Sequence, residues 1–440
     1  MSRVTRRRFL KVSGAGALAA KTGGMAAILA TGQAPAYAQA ATLQWLRWND
    51  FVPASDQLLR REILPEAEKA LGFKVNLETV NGNDLQPRIT AAIQSGSGPD
   101  LIMLFNNHPQ LYAASLVDMS DVAEAVSKAD GGYYPLVKSN SNDGKMWLSM
   151  PWTIVGGMIA YRKSWFEEVG ASSFPDTWEK YQEVGKKLKA KGRPIGQTLG
   201  HTFGDAPTFS YPLMWSFGGK EVDESGKVAI NSKETVASVK FMTGFWKDAH
   251  DEGGLAWDDT NNNRAFLSQT VSATLNGASI YIESLRNPDK YITEKGAQLK
   301  TDILHAPLPK GPAGQFSMHT YFSHVLPKYS KNEKAAKDFL KWVHSKPVYE
   351  KWFVSQKGFA TPPAADWEKH KVWDEDPVMT PYKVAGRLGR TPGYAGLANA
   401  KAAEALSKYI VTDMYAKAVQ GMPPEEAVKW ADTELKKVYG

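Results

Sequence analysis

The run Ser95-Gly96-Ser97-Gly98-Pro99-Asp100-Leu101-Ile102-Met103-Leu104-Phe105 places an unbroken apolar stretch behind a glycine- and proline-rich turn. Such a run suits a parallel strand buried on both faces. Before it, Leu85, Ile89, Ala92 and Ile93 fall on one side of a helix predicted from Asp84 to Gln94. Further upstream, Phe73, Val75 and Leu77 alternate with polar residues, as in a half-buried strand. Leu58, Leu59, Ile63, Leu64, Ala67 and Leu71 recur at helical spacing and stop at Gly72, and Leu43 to Trp48 reads as a first strand. Strand–helix–strand–helix–strand is the pattern of an α/β fold with right-handed crossovers.

The alternation continues downstream. Asp176 with Glu179, Asn231 with Glu234 and Ser330 with Glu333 are predicted capping boxes for three helices. Val271 to Leu275 and Ile303 to Leu308 read as strands. The tail reads as a helix from Gly396 to Val419 and another starting at Pro424. A chain of 440 residues exceeds the usual size of one domain, so two or more are expected.

Charge is distributed unevenly. The net +7 suggests a nucleic-acid partner, but six of the 53 basic residues lie within residues 1–38, which hold no acidic residue. The remainder carries 47 basic against 46 acidic side chains, and the expectation of a nucleic-acid partner lapses. Thr5-Arg6-Arg7-Arg8-Phe9-Leu10-Lys11 resembles the bacterial twin-arginine export signal. A weakly apolar stretch and small residues suited to cleavage after Ala38 or Ala40 follow it. Residues 1–40 are therefore expected to be a signal peptide handled by the twin-arginine machinery, leaving a periplasmic protein. Cysteine is absent, which excludes disulfides, thiol catalysis and a lipid-modified N-terminal cysteine.

Catalytic signatures are sparse. Phosphate-binding loop, nucleophile-elbow and zinc-helix motifs do not occur, and the histidines are scattered. Asp258-Asp259 and Asp374-Glu375-Asp376 offer carboxylate pairs of the kind glycan hydrolysis requires. An exported hydrolase or lyase is thus the alternative to a binding protein that needs no metal or cofactor.

Four segments carry a family resemblance. They are Ala91 to Ile102; Asp143 to Trp152, continuing through Met158–Lys163 to Pro175–Trp178; Asn263–Phe266 with Ala273–Gly277; and Ser330–Leu340. In order and spacing they resemble the extracellular solute-binding proteins of ATP-driven (ABC) importers, in the maltose-binding and glycerol-phosphate-binding branch. The resemblance implies an α/β fold of two lobes joined by chain crossings, with ligand held in the cleft between them. It places an N-lobe at 41–152 plus 323–376 and a C-lobe at 157–319 plus 380–440. Crossings are expected near Trp152–Gly157, Thr320–Ser323 and Pro377–Thr380, with Gly156 and Gly157 as hinge residues. It implies a monomer that hands a carbohydrate-like solute (a mono- or disaccharide, a polyol or a phosphorylated glycerol) to ABC permease subunits.

Matching the family's ligand-bearing loops gives candidate contacts. In the N-lobe these are Asn49 and Asp50 after the first strand, Asp84 before the second helix, Asn106, Asn107 and His108 after the Leu101–Phe105 strand, and Trp152 at the first crossing. In the C-lobe they are Asp205, Phe209, Asn276, Tyr281, Arg390, Gly393 and Tyr394. Relatives of the maltose type place a tryptophan slightly beyond this last loop, where this chain has Gly396-Leu397-Ala398-Asn399, which argues against a long maltodextrin. A phosphorylated ligand would be held by Arg390.

Overall fold

The computed structural model describes residues 42–440. The leader and both cleavage sites lie outside these residues. Two sheets organise the chain. The larger contains β1 (Thr42–Trp48), β2 (Lys74–Val80), β3 (Leu101–Phe105), β4 (Met150–Val155), β8 (Thr320–Val325) and β9 (Ala360–Thr361), in the order β2-β1-β3-β8-β4-β9. β1 runs parallel to both β2 and β3, while β8 lies antiparallel between β3 and β4. The smaller sheet has the order β6-β5-β7, from β5 (Met158–Arg162), β6 (Ala273–Asn276) and β7 (Ile303–Ala306), all antiparallel to their neighbours. Each sheet is the floor of one lobe.

The central strands β3 and β4 are buried along their whole length, as the unbroken apolar run in β3 requires. One apolar core gathers around the larger sheet, with Trp45, Trp152, Phe339 and Trp352 among its largest members. The other gathers around the smaller sheet and takes in Trp178, Trp215, Met414, Tyr415 and Leu435 from distant helices.

Helix boundaries correct the sequence reading by single residues. The caps are Thr177, Ser232 and Asn332, each one or two positions after the expected Asp176, Asn231 and Ser330. Thr177 and Ser232 accept hydrogen bonds from the amides of Lys180 and Thr235. Asp176 instead pairs with Lys180 and Lys310, and Ser330 hydrogen-bonds Asp100. The tail helix expected from Gly396 divides into Ala400–Ser407 and Ile410–Val419, because Tyr409 takes a left-handed conformation between them.

The chain passes from the larger to the smaller sheet between Val155 and Met158 and returns between Ala306 and Thr320. A hydrogen bond from the Gly157 amide to Nδ1 of His319, at 3.0 Å, ties the two passages together. Burial pushes His319 down to about 4, so the ring is neutral and can accept at this nitrogen. Neither Gly156 nor Gly157 has a positive φ. Close packing requires glycine here instead: a Cβ would stand 2.2 Å from the Thr208 side chain at Gly157 and 2.8 Å from the Tyr382 ring at Gly156.

Arg162 ends β5 fully buried, with Nε 2.7 Å from Asp302 and a second nitrogen 3.0 Å from Glu294. Removing one partner of a buried pair leaves a charge unsolvated. Asp302→Ala is therefore expected to cost about 2–3 kcal/mol, because Glu294 still serves the guanidinium. Urea denaturation checks this, and an unchanged midpoint would show that the pair adds nothing.

Candidate functional site in the inter-lobe cleft

The cleft is walled by the ends of strands from both sheets. Trp48 closes β1, Phe322 lies in β8, Phe359 precedes β9, and Asn276 ends β6. Together with Phe51, Val155, Phe203, Gly204, Asp205, Asp259, Ser279 and Thr320 they line a narrow cavity of about 30 Å³. A second void of similar volume adjoins it, bounded by Trp48, Asn49, Phe51, Asn81, Asn83, Thr202, Phe203, Asp258, Asp259 and Thr260. A wider depression bordered by Glu124, Lys128, Lys138 and Trp147 is open to solvent and takes residues from the larger lobe alone. The cleft is the candidate site because both lobes build it.

Aromatic rings form one side. Trp48 contacts Phe322 at a centroid distance of 4.8 Å, Phe51 at 5.0 Å and Phe203 edge-on at 5.7 Å. Phe203 belongs to the smaller lobe, yet it stacks on Phe105 of the larger one at 4.1 Å and 11°. It fits because Gly82 has no side chain, and a Cβ there would approach the Phe203 ring to 2.2 Å. Aromatic pairs of this geometry contribute about 0.5–1.5 kcal/mol each beyond area burial. The Phe203 amide also donates to Asn83 Oδ1 at 3.2 Å, and Gln86 donates to Ser407 at 3.1 Å. These contacts press the lobes together across the cleft mouth.

Carboxylates and amides form the other side. Asp259 accepts from the amides of Gly204 (3.0 Å) and Asp205 (2.8 Å), capping the helix Asp205–Phe217 from outside it. One oxygen of Asp205 accepts from Asn262, the other has no partner among the described residues, and the residue lines the cavity. Burial raises Asp205 well above the usual carboxylate range, and the neighbouring charges of Asp259 and Asp258 add to the shift. Burial likewise raises Asp259. Asn276 donates to Asn263 at 2.6 Å and accepts from Ser279 at 3.2 Å, so this wall is fixed by its own network.

The structure brings together some of the residues expected from sequence and separates others. Asn49, Asp205 and Asn276 border the two voids. Asn106 has φ 45° and hydrogen-bonds Tyr321, finishing β3 beside the cleft. Asn107 is buried with neither amide atom partnered, and His108 Nε2 lies 3.3 Å from Ser407 of the opposite lobe. Tyr281 donates to Asp376 at 2.6 Å. Asp50 is held by Ser55, Gln356 and Arg47 behind the wall, while Asp84 is exposed. Trp152 packs against Trp45 and Trp352 and Phe209 against Trp178, both inside cores. Arg390 stacks between Phe316 and Tyr394, and the Gly393 amide binds Glu221, so this loop does not border the cavity. Trp48, Phe203, Phe322 and Phe359 were not singled out from sequence. The only signal for them was that Trp48 precedes Asn49 at a strand end.

Of the carboxylate pairs considered for hydrolysis, Asp258 binds Thr260 in its own turn, Asp259 caps a helix, and Asp376 binds Val378 and Tyr281. Among the described residues no group of His, Asp and Glu is arranged to hold a metal ion, and no helix is long and apolar enough to cross a membrane.

Two outcomes test this geometry. Gly82→Ala should expel Phe203 and speed hydrogen exchange at the Phe203 and Gly204 amides, while adding Phe203→Ala should relieve the clash; unchanged exchange would contradict the packing. Asp205→Asn should stabilise the protein increasingly from about pH 5 to pH 8. A carboxyl whose folded value is raised contributes stability fully only below its unfolded value, near 4, and loses it as pH rises through the folded value. The helix N-terminus favours the anion by about 0.3–1 kcal/mol, which is less than burial costs an unpaired charge. Thermal melts across this range check the sign.

Comparison with known proteins agrees with this architecture. Residues 52–350 match the family model for bacterial extracellular solute-binding proteins. A probable ABC transporter-binding protein of Deinococcus radiodurans is 23% identical over 256 residues, covering 56% of this chain and 58% of that protein. The chain thus spans less than two thirds of that curated relative. Among solved structures, maltose-bound MalE3 of T. maritima aligns with a TM-score of 0.74 at 22% identity, covering 90% of this chain and 100% of the other. A solute-binding protein from Thermotoga lettingae bound with α-D-tagatose gives 0.75 at 19%, covering 91% and 100%. Both show a similar two-lobed fold. This chain belongs to the bacterial extracellular solute-binding protein family.

Proposed function

We propose that the protein is the solute-capturing component of an ABC importer, exported by the twin-arginine route to the periplasm and working there as a monomer. It closes its lobes on a small polyhydroxylated solute and presents the closed form to the permease. The observation that carries this reading is the cavity built jointly from β1, β8 and the segment before β9 on one side and the Phe203–Asp205 loop and β6 on the other. A ligand touching both walls stabilises the closed arrangement by the contacts it gains only there. Flat rings suit the C–H faces of a sugar or polyol, and Asn, Asp, Ser and Thr groups suit its hydroxyls. Maltose and tagatose in the two structural neighbours are compatible with this chemistry. A phosphorylated glycerol is disfavoured, since Arg390 lies elsewhere and no Lys or Arg lines the cavity.

A thermal-shift screen against mono- and disaccharides and polyols tests the proposal. A true ligand at about 100 times its Kd adds about 2.7 kcal/mol to stability. Trp48→Ala should weaken binding about tenfold or more. Turnover of a glycan, or binding unaffected by this substitution, would overturn the reading.

A further inference from the structure

Phe203 stands between two chambers of different character. The inner void is lined wholly by buried or half-buried residues, with rings from Trp48, Phe322 and Phe359 and polar groups from Asn276, Ser279 and Thr320. The outer void is bordered by three exposed asparagines, Asn49, Asn81 and Asn83, and so lies on the solvent side. The two share only Trp48, Phe51, Phe203 and Asp259. Of these, Phe203 is the ring that reaches across from the smaller lobe.

Its seat is specific. The ring stacks on Phe105 at 4.1 Å and 11°, meets Trp48 edge-on at 5.7 Å, and fills the space that a Cβ at Gly82 would take. The Phe203 amide is tied to Asn83 Oδ1 of the larger lobe at 3.2 Å. Because the ring belongs to one lobe and its seat to the other, it is seated only when the lobes are closed.

Both voids are narrow, about 30 Å³ each, so a solute widens the cleft where it lies. What it cannot do while the ring is seated is run from the inner chamber to the outer one. A solute of one sugar unit lies in the inner chamber with the ring closed behind it. A second unit would take the ring's position, hold it off Phe105 and leave the slot over Gly82 unfilled, forfeiting the packing and stacking made there. Such discrimination comes from a built-in clash with the rejected solute.

Resting on the binding function proposed above, we infer that Phe203 sets the length of the solute: the protein takes a single monosaccharide unit or a polyol of that size, and Phe203 with Gly82 rejects disaccharides.

Calorimetry on matched sets tests this, with D-glucose against maltose and cellobiose, D-galactose against lactose, D-mannose against mannobiose, and sorbitol against maltitol. In at least one set the smaller member should bind about tenfold or more tightly than the larger. Phe203→Ala opens the partition, and Gly82→Ala unseats the ring from the opposite lobe; each should bring that ratio to about threefold or less. The ratio is the readout because loss of the ring weakens closure around either member. Thermal melts confirm that both variants are folded. A wild-type preference below about tenfold in every set, or a ratio that stays above about threefold in Phe203→Ala, overturns the length filter while the binding function stands. If no member of any set binds, both fall.

Discussion

The packing of one phenylalanine across the cleft governs how the halves of this molecule meet. Phe203 leaves the smaller lobe, stacks on Phe105, and touches Trp48 in a slot that exists because residue 82 is glycine. The ring divides the cleft into two voids and contributes a wall to each. Cavity shape and lobe closure therefore depend on the same contact. A solute that fills either void also presses on Phe203, so filling the site and holding the lobes together are one event.

The hinge has a different character from the cleft. Its passages are close-packed: Thr208 and Tyr382 crowd the two glycines, and His319 links the outgoing and returning segments. Packing of this density resists gradual deformation and favours movement between discrete arrangements. The contacts at the mouth include polar ones, such as Asn83 with Phe203 and Gln86 with Ser407. Hydrogen bonds of this kind each contribute about 0.5–1.5 kcal/mol net, a scale that a bound solute can readily outweigh.

Much of the architecture was legible in sequence because it rests on local periodicity. The buried run Leu101–Phe105 matches β3 residue for residue, and the apolar stripe from Leu58 to Leu71 lies within a helical segment. Caps moved by one or two positions because Thr177 and Ser232 compete with adjacent acidic or amide residues that serve equally well by pattern. The site was less legible for a physical reason. Its rings come from four separate stretches of the chain, at Trp48 and Phe51, Phe203, Phe322 and Phe359, and neither Phe203 nor Phe359 lies in a periodic pattern. Trp152 and Phe209 look like binding aromatics in sequence, yet each is buried in a core. Arg390 reads as an anion holder until its guanidinium is found stacked on two rings of its own lobe.

The central claim is that a solute between Trp48 and Asp205 holds the lobes together. The absence of cysteine makes site-specific spin labelling direct. Arg88 and Lys408 are both well exposed, and each lies within two residues of one partner in the Gln86–Ser407 bond across the cleft mouth. Pulsed dipolar spectroscopy on an Arg88→Cys/Lys408→Cys double variant reads their separation. The account predicts a broad or longer distribution without solute that collapses to one short distance at saturation; an identical distribution in both conditions, with binding confirmed on the same labelled sample, would contradict it.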